Sequence, residues 1–101
     1  MTIIIAGTMR VPPEQVEAIK PHMAAVMAGT RTEEGNIDYA FSFDASDPGL
    51  VRLFEKWTDA AKLGPHSKAP HILKYREAMA AFTMTDRDYR MYEIADEKPL
   101  G

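Results

Sequence analysis

The sequence has no cysteine in its 101 residues. Disulfides, thiolate metal sites and cysteine nucleophiles are therefore excluded together. Nor is there a glycine-rich phosphate loop. Gly7, Gly29, Gly35, Gly49 and Gly64 are scattered, with no spacing that would cradle a nucleotide. No apolar run approaches the roughly 20 residues that cross a bilayer, and the segment Met1 to Met9 lacks a basic n-region and a small-residue cleavage site. No membrane partner is expected, and the expected location is the cytoplasm. Charge of one sign is missing too: 12 basic and 15 acidic residues are interspersed, net −3, without the basic face a nucleic-acid binder carries.

What is present is an apolar fraction of 46% that falls into periodic blocks, which a disordered chain would not show. The length allows one domain, expected over residues 2–95, with a tail over 96–101. A chain of this size buries only roughly 60–65% of its unfolded surface, so oligomerisation is the expected source of added stability.

Thr2 to Val11 reads as a strand with Ile3, Ile5 and Met9 on one face and Ile4 and Ala6 on the other. From Glu14 the period becomes helical, with Val16, Ile19, Met23, Val26 and Met27 in one stripe and Gly29 placed as a cap. Pro21 inside it predicts a kink or a helix in two pieces. Asn36 to Asp44 alternates, with Ile37, Tyr39, Phe41 and Phe43 on one side. Leu50 to Thr58 alternates again, with Val51, Leu53, Glu55 and Trp57 opposite Leu50 and Phe54. A short helix from Asp59 should stop at Gly64-Pro65. A longer one follows Pro70, carrying Ile72, Tyr75, Met79 and Phe82, and a last strand is expected around Asp88 to Ile94. The order β-α-β-β-α-β predicts an α+β, ferredoxin-like antiparallel sheet with its helices on one face. The other face would then expose Ile4 and Phe54, which predicts a two-fold homodimer, sheet against sheet.

Three features could carry chemistry. Glu55 shares a face with apolar residues and Trp57. It either pairs with an arginine or backbone groups, Trp57 filling core, or lines a pocket with a raised pKa. His66 and His71 are five residues apart with a proline between, which is not a helical metal-ligand spacing, so no metal is expected. Each histidine is either a general base or a capping or surface residue. His71, at a helix start, is the stronger candidate; His22 should be solvated. Finally, Tyr39, Phe41, Phe43, Trp57, Tyr75 and Phe82 are either plain core or the walls of a pocket for a flat ligand.

These residues also carry a resemblance. Glu34-Gly35-Asn36-Ile37-Asp38-Tyr39, then Glu55-Lys56-Trp57, then His66, then Pro70-His71 with Tyr75, is similar in order and distance to the signature of the antibiotic biosynthesis monooxygenase family. The likeness covers essentially the whole chain. It implies a dimeric α+β barrel with a pocket between sheet and helices, and members that include quinol and anthrone monooxygenases without metal or flavin, haem-degrading oxygenases and a sugar-phosphate isomerase. The haem degraders' strand-one Asn has Gly7, Thr8 or Met9 in its place here, and their Trp has Ala60 to Leu63, so haem degradation is not expected. The expectation is a cofactor-free monooxygenase using molecular oxygen on a small aromatic substrate. His71 or His66 would be its base, with Trp57, Tyr39, Phe43, Tyr75 and Glu55 around the substrate. The rivals are a cofactor-free isomerase of a small hydroxycarbonyl compound and a non-catalytic binding module.

Overall fold

The computed structural model describes all residues 1–101. Four strands, β1 (Ile3–Arg10), β2 (Asn36–Phe43), β3 (Leu50–Trp57) and β4 (Thr85–Glu93), alternate with α1 (Val16–Thr30), α2 (Leu63–Lys68) and α3 (Pro70–Met79). The sheet runs β2-β3-β1-β4 with every neighbour antiparallel. This is the ferredoxin-like α+β arrangement the residue pattern predicts.

Alternation decides which side chains meet the helices. Ile3 and Met9 of β1, with Val51, Leu53 and Trp57 of β3, are buried, while Phe54 and Arg52 between them are exposed. Helix α1 answers with Ile19, Met23 and Val26, one face of a 3.6-residue period, all buried. Each such side chain contributes about 1.5–3 kcal/mol relative to an exposed position. Two adjoining clusters result. One holds Met9, Val11, Ile19, Met23, Val51 and Met79; the other holds Val26, Tyr39, Leu53 and Ile72.

Five local expectations are corrected. Gly29 lies inside α1 rather than capping it, because the helix runs on to Thr30 with Arg31 at its C-cap. Helix α1 runs in one piece through Pro21 rather than in two, with the proline on its exposed side. Gly64-Pro65 does not stop α2 but sits in its first turn, where backbone N–H groups have no intrahelical partner to lose. Ile37 leaves the inward face: the β2–β3 register shifts between Asn36 and Asp38, and Ile37 is 52% exposed at that bulge. The last strand begins earlier than expected, at Thr85, and is wholly an edge, paired only with β1. Its Asp88 and Arg90 charges suit an edge that must not recruit further strands. After it, Ile94 N donates to Thr2 O at 2.9 Å, and Glu97 pairs with Lys56 at 2.7 Å.

Candidate functional site

The site lies where β3, the loop after α1 and the α2–α3 corner converge. On β3, Glu55 stands opposite Ile5 of β1 and Tyr39 of β2, so its carboxyl points in among apolar side chains. Trp57, two residues on and fully buried, donates its indole N–H to Glu55 Oε1 at 3.0 Å. Burial raises the Glu55 pKa, partly offset by that indole bond and by His66, while Glu33 raises it further.

The loop is drawn inward by its own bonds. Glu33 N donates to Thr30 O at 3.0 Å, and Thr32 Oγ1 donates to Gly29 O at 2.7 Å. Gly35 follows at φ 86°, a left-handed conformation that a side chain would strain. Glu33 thereby faces in, whereas Glu34 faces out and pairs with Lys62 at 3.1 Å. At the helix corner Pro70 forces Ala69 into extended backbone, φ −64° and ψ 144°. That turn swings His66, at the end of α2, towards His71, at the start of α3, with ring centroids 6.3 Å apart.

Glu33 joins the two rings. Its Oε2 lies 2.6 Å from His66 Nδ1 and 2.7 Å from His71 Nε2, accepting an N–H from each. With Nδ1 protonated, neutral His66 presents Nε2 as a lone pair, 4.0 Å from Glu55 Oε1. The three ligand atoms lie within 4.8 Å of one another. Histidine spacing alone gave no sign of this third donor, and two imidazoles with a carboxylate are a set that can ligate a divalent cation. Here the carboxylate oxygen already satisfies both rings as hydrogen bonds.

Beside His66 opens a cavity of about 590 Å³, within the usual range for small-ligand sites. Its walls are largely apolar and include the aromatic side chains of Tyr39, Phe41, Tyr75, Phe82 and Tyr89, with Glu55 and His66 in its buried part. Tyr75 stacks on Phe41 at 5.7 Å and 29°. Burial raises the phenol pKa of Tyr39 and of Tyr75 above the ordinary value, and Tyr89 is pushed up to about 12, burial again the largest cause. All three stay protonated at neutral pH and can donate an O–H to a ligand.

Of the residues singled out from the sequence, His66, Glu55, Tyr39, Phe41, Tyr75 and Phe82 share this cavity. His71 does not line it. The ring sits behind His66 and borders a separate hollow of about 50 Å³ with His22, Lys74 and Tyr75. Trp57 does not line the cavity either, because its ring is wholly packed, 4.9 Å from the His66 ring, where it positions Glu55 rather than meeting a ligand. Phe43 lies on a different hollow between α1 and β2, under the Lys20 ammonium at 5.6 Å. His22 is half-buried, 6.0 Å from the Phe82 ring, rather than solvated. Sequence reasoning missed Glu33, Tyr89, Arg76 and Arg87. Only Tyr89 had a local signal, its place on the inward parity of the last strand.

A ferredoxin-like sheet with a histidine-headed aromatic cavity under its helices defines a class of small α+β proteins. The sequence profile of the antibiotic biosynthesis monooxygenase family matches residues 2–78, and the chain belongs to that family. Among its relatives, sll1783 of Synechocystis, a protein of no described function, is 26% identical over 98 residues, 97% of this chain and 67% of that one. YcnE of Bacillus subtilis, named provisionally as a monooxygenase, is 25% identical over 83 residues, 78% of this chain and 87% of its own. Of solved structures, one from Deinococcus radiodurans, provisionally called an antibiotic biosynthesis monooxygenase, matches with TM-score 0.86 at 23% identity over 98% of both chains. Rv0793 from Mycobacterium tuberculosis matches at 0.84 and 22%, covering 98% of this chain and 100% of that one. At such identities the structural likeness speaks for the fold alone.

Proposed function

We propose that this protein is a cofactor-independent monooxygenase for a small aromatic substrate of the quinol or anthrone type, working as a homodimer. The observation that carries the reading is the position of His66. The residue lines the cavity, its Nε2 lies 4.0 Å from the Glu55 carboxylate that lines it too, and Glu33 engages its Nδ1–H and fixes the ring. Such a base takes a proton from a phenol or from a carbon flanked by aryl and carbonyl groups. The electron-rich anion left behind reduces O₂ itself, so no metal or flavin is needed to reach triplet oxygen. Carbon–oxygen bond formation gives a hydroperoxide, and loss of water leaves a carbonyl. In sum CH₂ and O₂ become C=O and H₂O, with all four electrons supplied by the substrate. Protonated Tyr39, Tyr75 and Tyr89 are donors able to stabilise the anionic oxygen. Family membership supports the same reading.

The test is oxygen uptake by chelated, colourless protein with an anthrone and a naphthohydroquinone, corrected for autoxidation. One O₂ consumed and one ¹⁸O incorporated per product is the expected result. Product formed at an undiminished rate without oxygen would point instead to proton-shuffling isomerisation. Binding without turnover would leave a non-catalytic module.

A further inference from the structure

We propose that the ligand of this cavity carries an oxyanion, a carboxylate or a phosphate, and that Arg76 of α3 and Arg87 of β4 recognise it. The inference rests on the cavity being the substrate site and names the class of substrate it takes. Both guanidiniums belong to cavity-lining residues and both residues are exposed, so they stand where the cavity opens to solvent.

The other arginines are already engaged. Arg10, Arg52 and Arg90 pair with Asp47, Asp44 and Asp88 at 2.7, 3.2 and 3.2 Å. Arg31 donates to the Tyr39 carbonyl at 3.0 Å. Arg76 and Arg87 have no carboxylate at salt-bridge distance. Arg76 gives one N–H to the Ser67 carbonyl at 3.1 Å, and Arg87 lies over the Tyr89 ring at 5.8 Å. Each contact orients the guanidinium while leaving donors of its five N–H groups free.

The backbone beside Arg87 is also unusual. The β1–β4 register shifts between Thr8 and Arg10, and Asp86 takes φ 54° at that irregularity, the one non-glycine residue with positive φ. Such bulges re-aim side chains, and here the bulge immediately precedes a side chain that lines the cavity.

Charge is therefore unequal along the cavity. The only carboxylate lining it, Glu55, lies at the buried end beside His66, and the two free cations lie at the open end. An aromatic molecule with a hydroxyl at one end and an anion at the other fits in a single orientation. The hydroxyl goes to His66, and the anion goes to guanidiniums that match oxyanions geometrically.

Equilibrium binding decides this without turnover, using the native protein at low salt. The ligands are 1-naphthol, 5-hydroxy-1-naphthoate and 5-hydroxy-1-naphthyl phosphate, the last two with hydroxyl and anion at opposite ends of the ring system. At least one anionic ligand should bind about tenfold more tightly than 1-naphthol, with the preference fading as salt rises. Comparison of the carboxylate and phosphate arms tells which anion is preferred. Arg76→Gln and Arg87→Gln should each reduce the preference, weakening the anionic ligands several-fold more than 1-naphthol. Equal affinity for all three ligands, or a preference that survives both substitutions, would overturn the anion inference and leave the aromatic cavity intact. Failure of every ligand to bind would overturn the inference and the cavity reading together.

Discussion

His66 and His71 are equivalent as residue types, but their surroundings are not. His66 lines the cavity and keeps its Nε2 outside the Glu33 bond, whereas His71 does not line it and spends its Nε2 on Glu33. The ranking from sequence, which favoured the helix-start histidine, is therefore reversed in the proposal. His66→Ala should lower turnover by about 10²–10⁴-fold with the fold intact. Glu33→Gln should cost less, about tenfold or more, by loosening the ring orientation, and His71→Ala less again. Steady-state rates on one verified substrate check the order, and equal losses for the two histidines would refute it. Glu55 makes a separate prediction. Its folded pKa is raised above the ordinary carboxyl value of 4.5, chiefly by burial. The sign follows from linkage: the contribution is fully present below the unfolded pKa and is lost as pH rises through the folded one. Glu55→Gln, which keeps an acceptor for the Trp57 indole, should therefore melt above wild type at pH 8. The gap should narrow as pH falls through the carboxylate range. A difference in melting temperature that does not change with pH would show that ionisation of Glu55 costs the fold nothing.

At the scale of elements, packing overrode propensity in places that can be named. The inward stripe of α1 and the alternation of β3 were legible because burial repeats at 3.6 and 2 residues. Pro21 and Gly64-Pro65 misled because their penalties depend on whether a backbone donor is needed there, which only the helix start and the solvent side decide. Ile37 misled because a bulge changes face parity without a sequence mark. Glu33 was illegible for another reason: its role is defined by two rings that lie more than thirty residues away. Gly29 combines both lessons. In a helix, Gly→Ala ordinarily gains about 1 kcal/mol. Here an added Cβ would stand 2.5 Å from His71 Cγ, too close without displacing the ring. Overpacking typically costs about 1–3 kcal/mol, so the clash outweighs propensity. Gly29→Ala should be destabilised in urea despite its better helix former, and a stabilised variant would mean that His71 moves freely.

At the scale of the molecule, the helices cover one side of the sheet and leave the other to itself. Ile4, Ala6 and Ala40 are half-buried there, while Phe54 and Tyr92 are 37% and 49% exposed. These residues follow from strand parity opposite Ile3, Ile5 and Tyr39, so the patch is a necessary product of the same alternation that builds the core. Around it lie Arg52 and Lys56, each held by a carboxylate, Asp44 at 3.2 Å and Glu97 at 2.7 Å. An apolar centre within a paired polar surround is the anatomy of an interface, and a two-fold axis lets one patch serve both copies. The chain is therefore expected to be a dimer at micromolar concentration. Phe54 lies on the outer face, away from the cavity, so Phe54→Asp removes apolar contact and places two like charges near the axis without touching the inner core. Light scattering should report monomers for that variant, with helical circular dichroism retained if the subunit folds alone and lost if dimerisation supplies its stability. A wild-type chain that scatters as a folded monomer would remove the interface, and the Phe54→Asp variant would then match it in both mass and melting temperature.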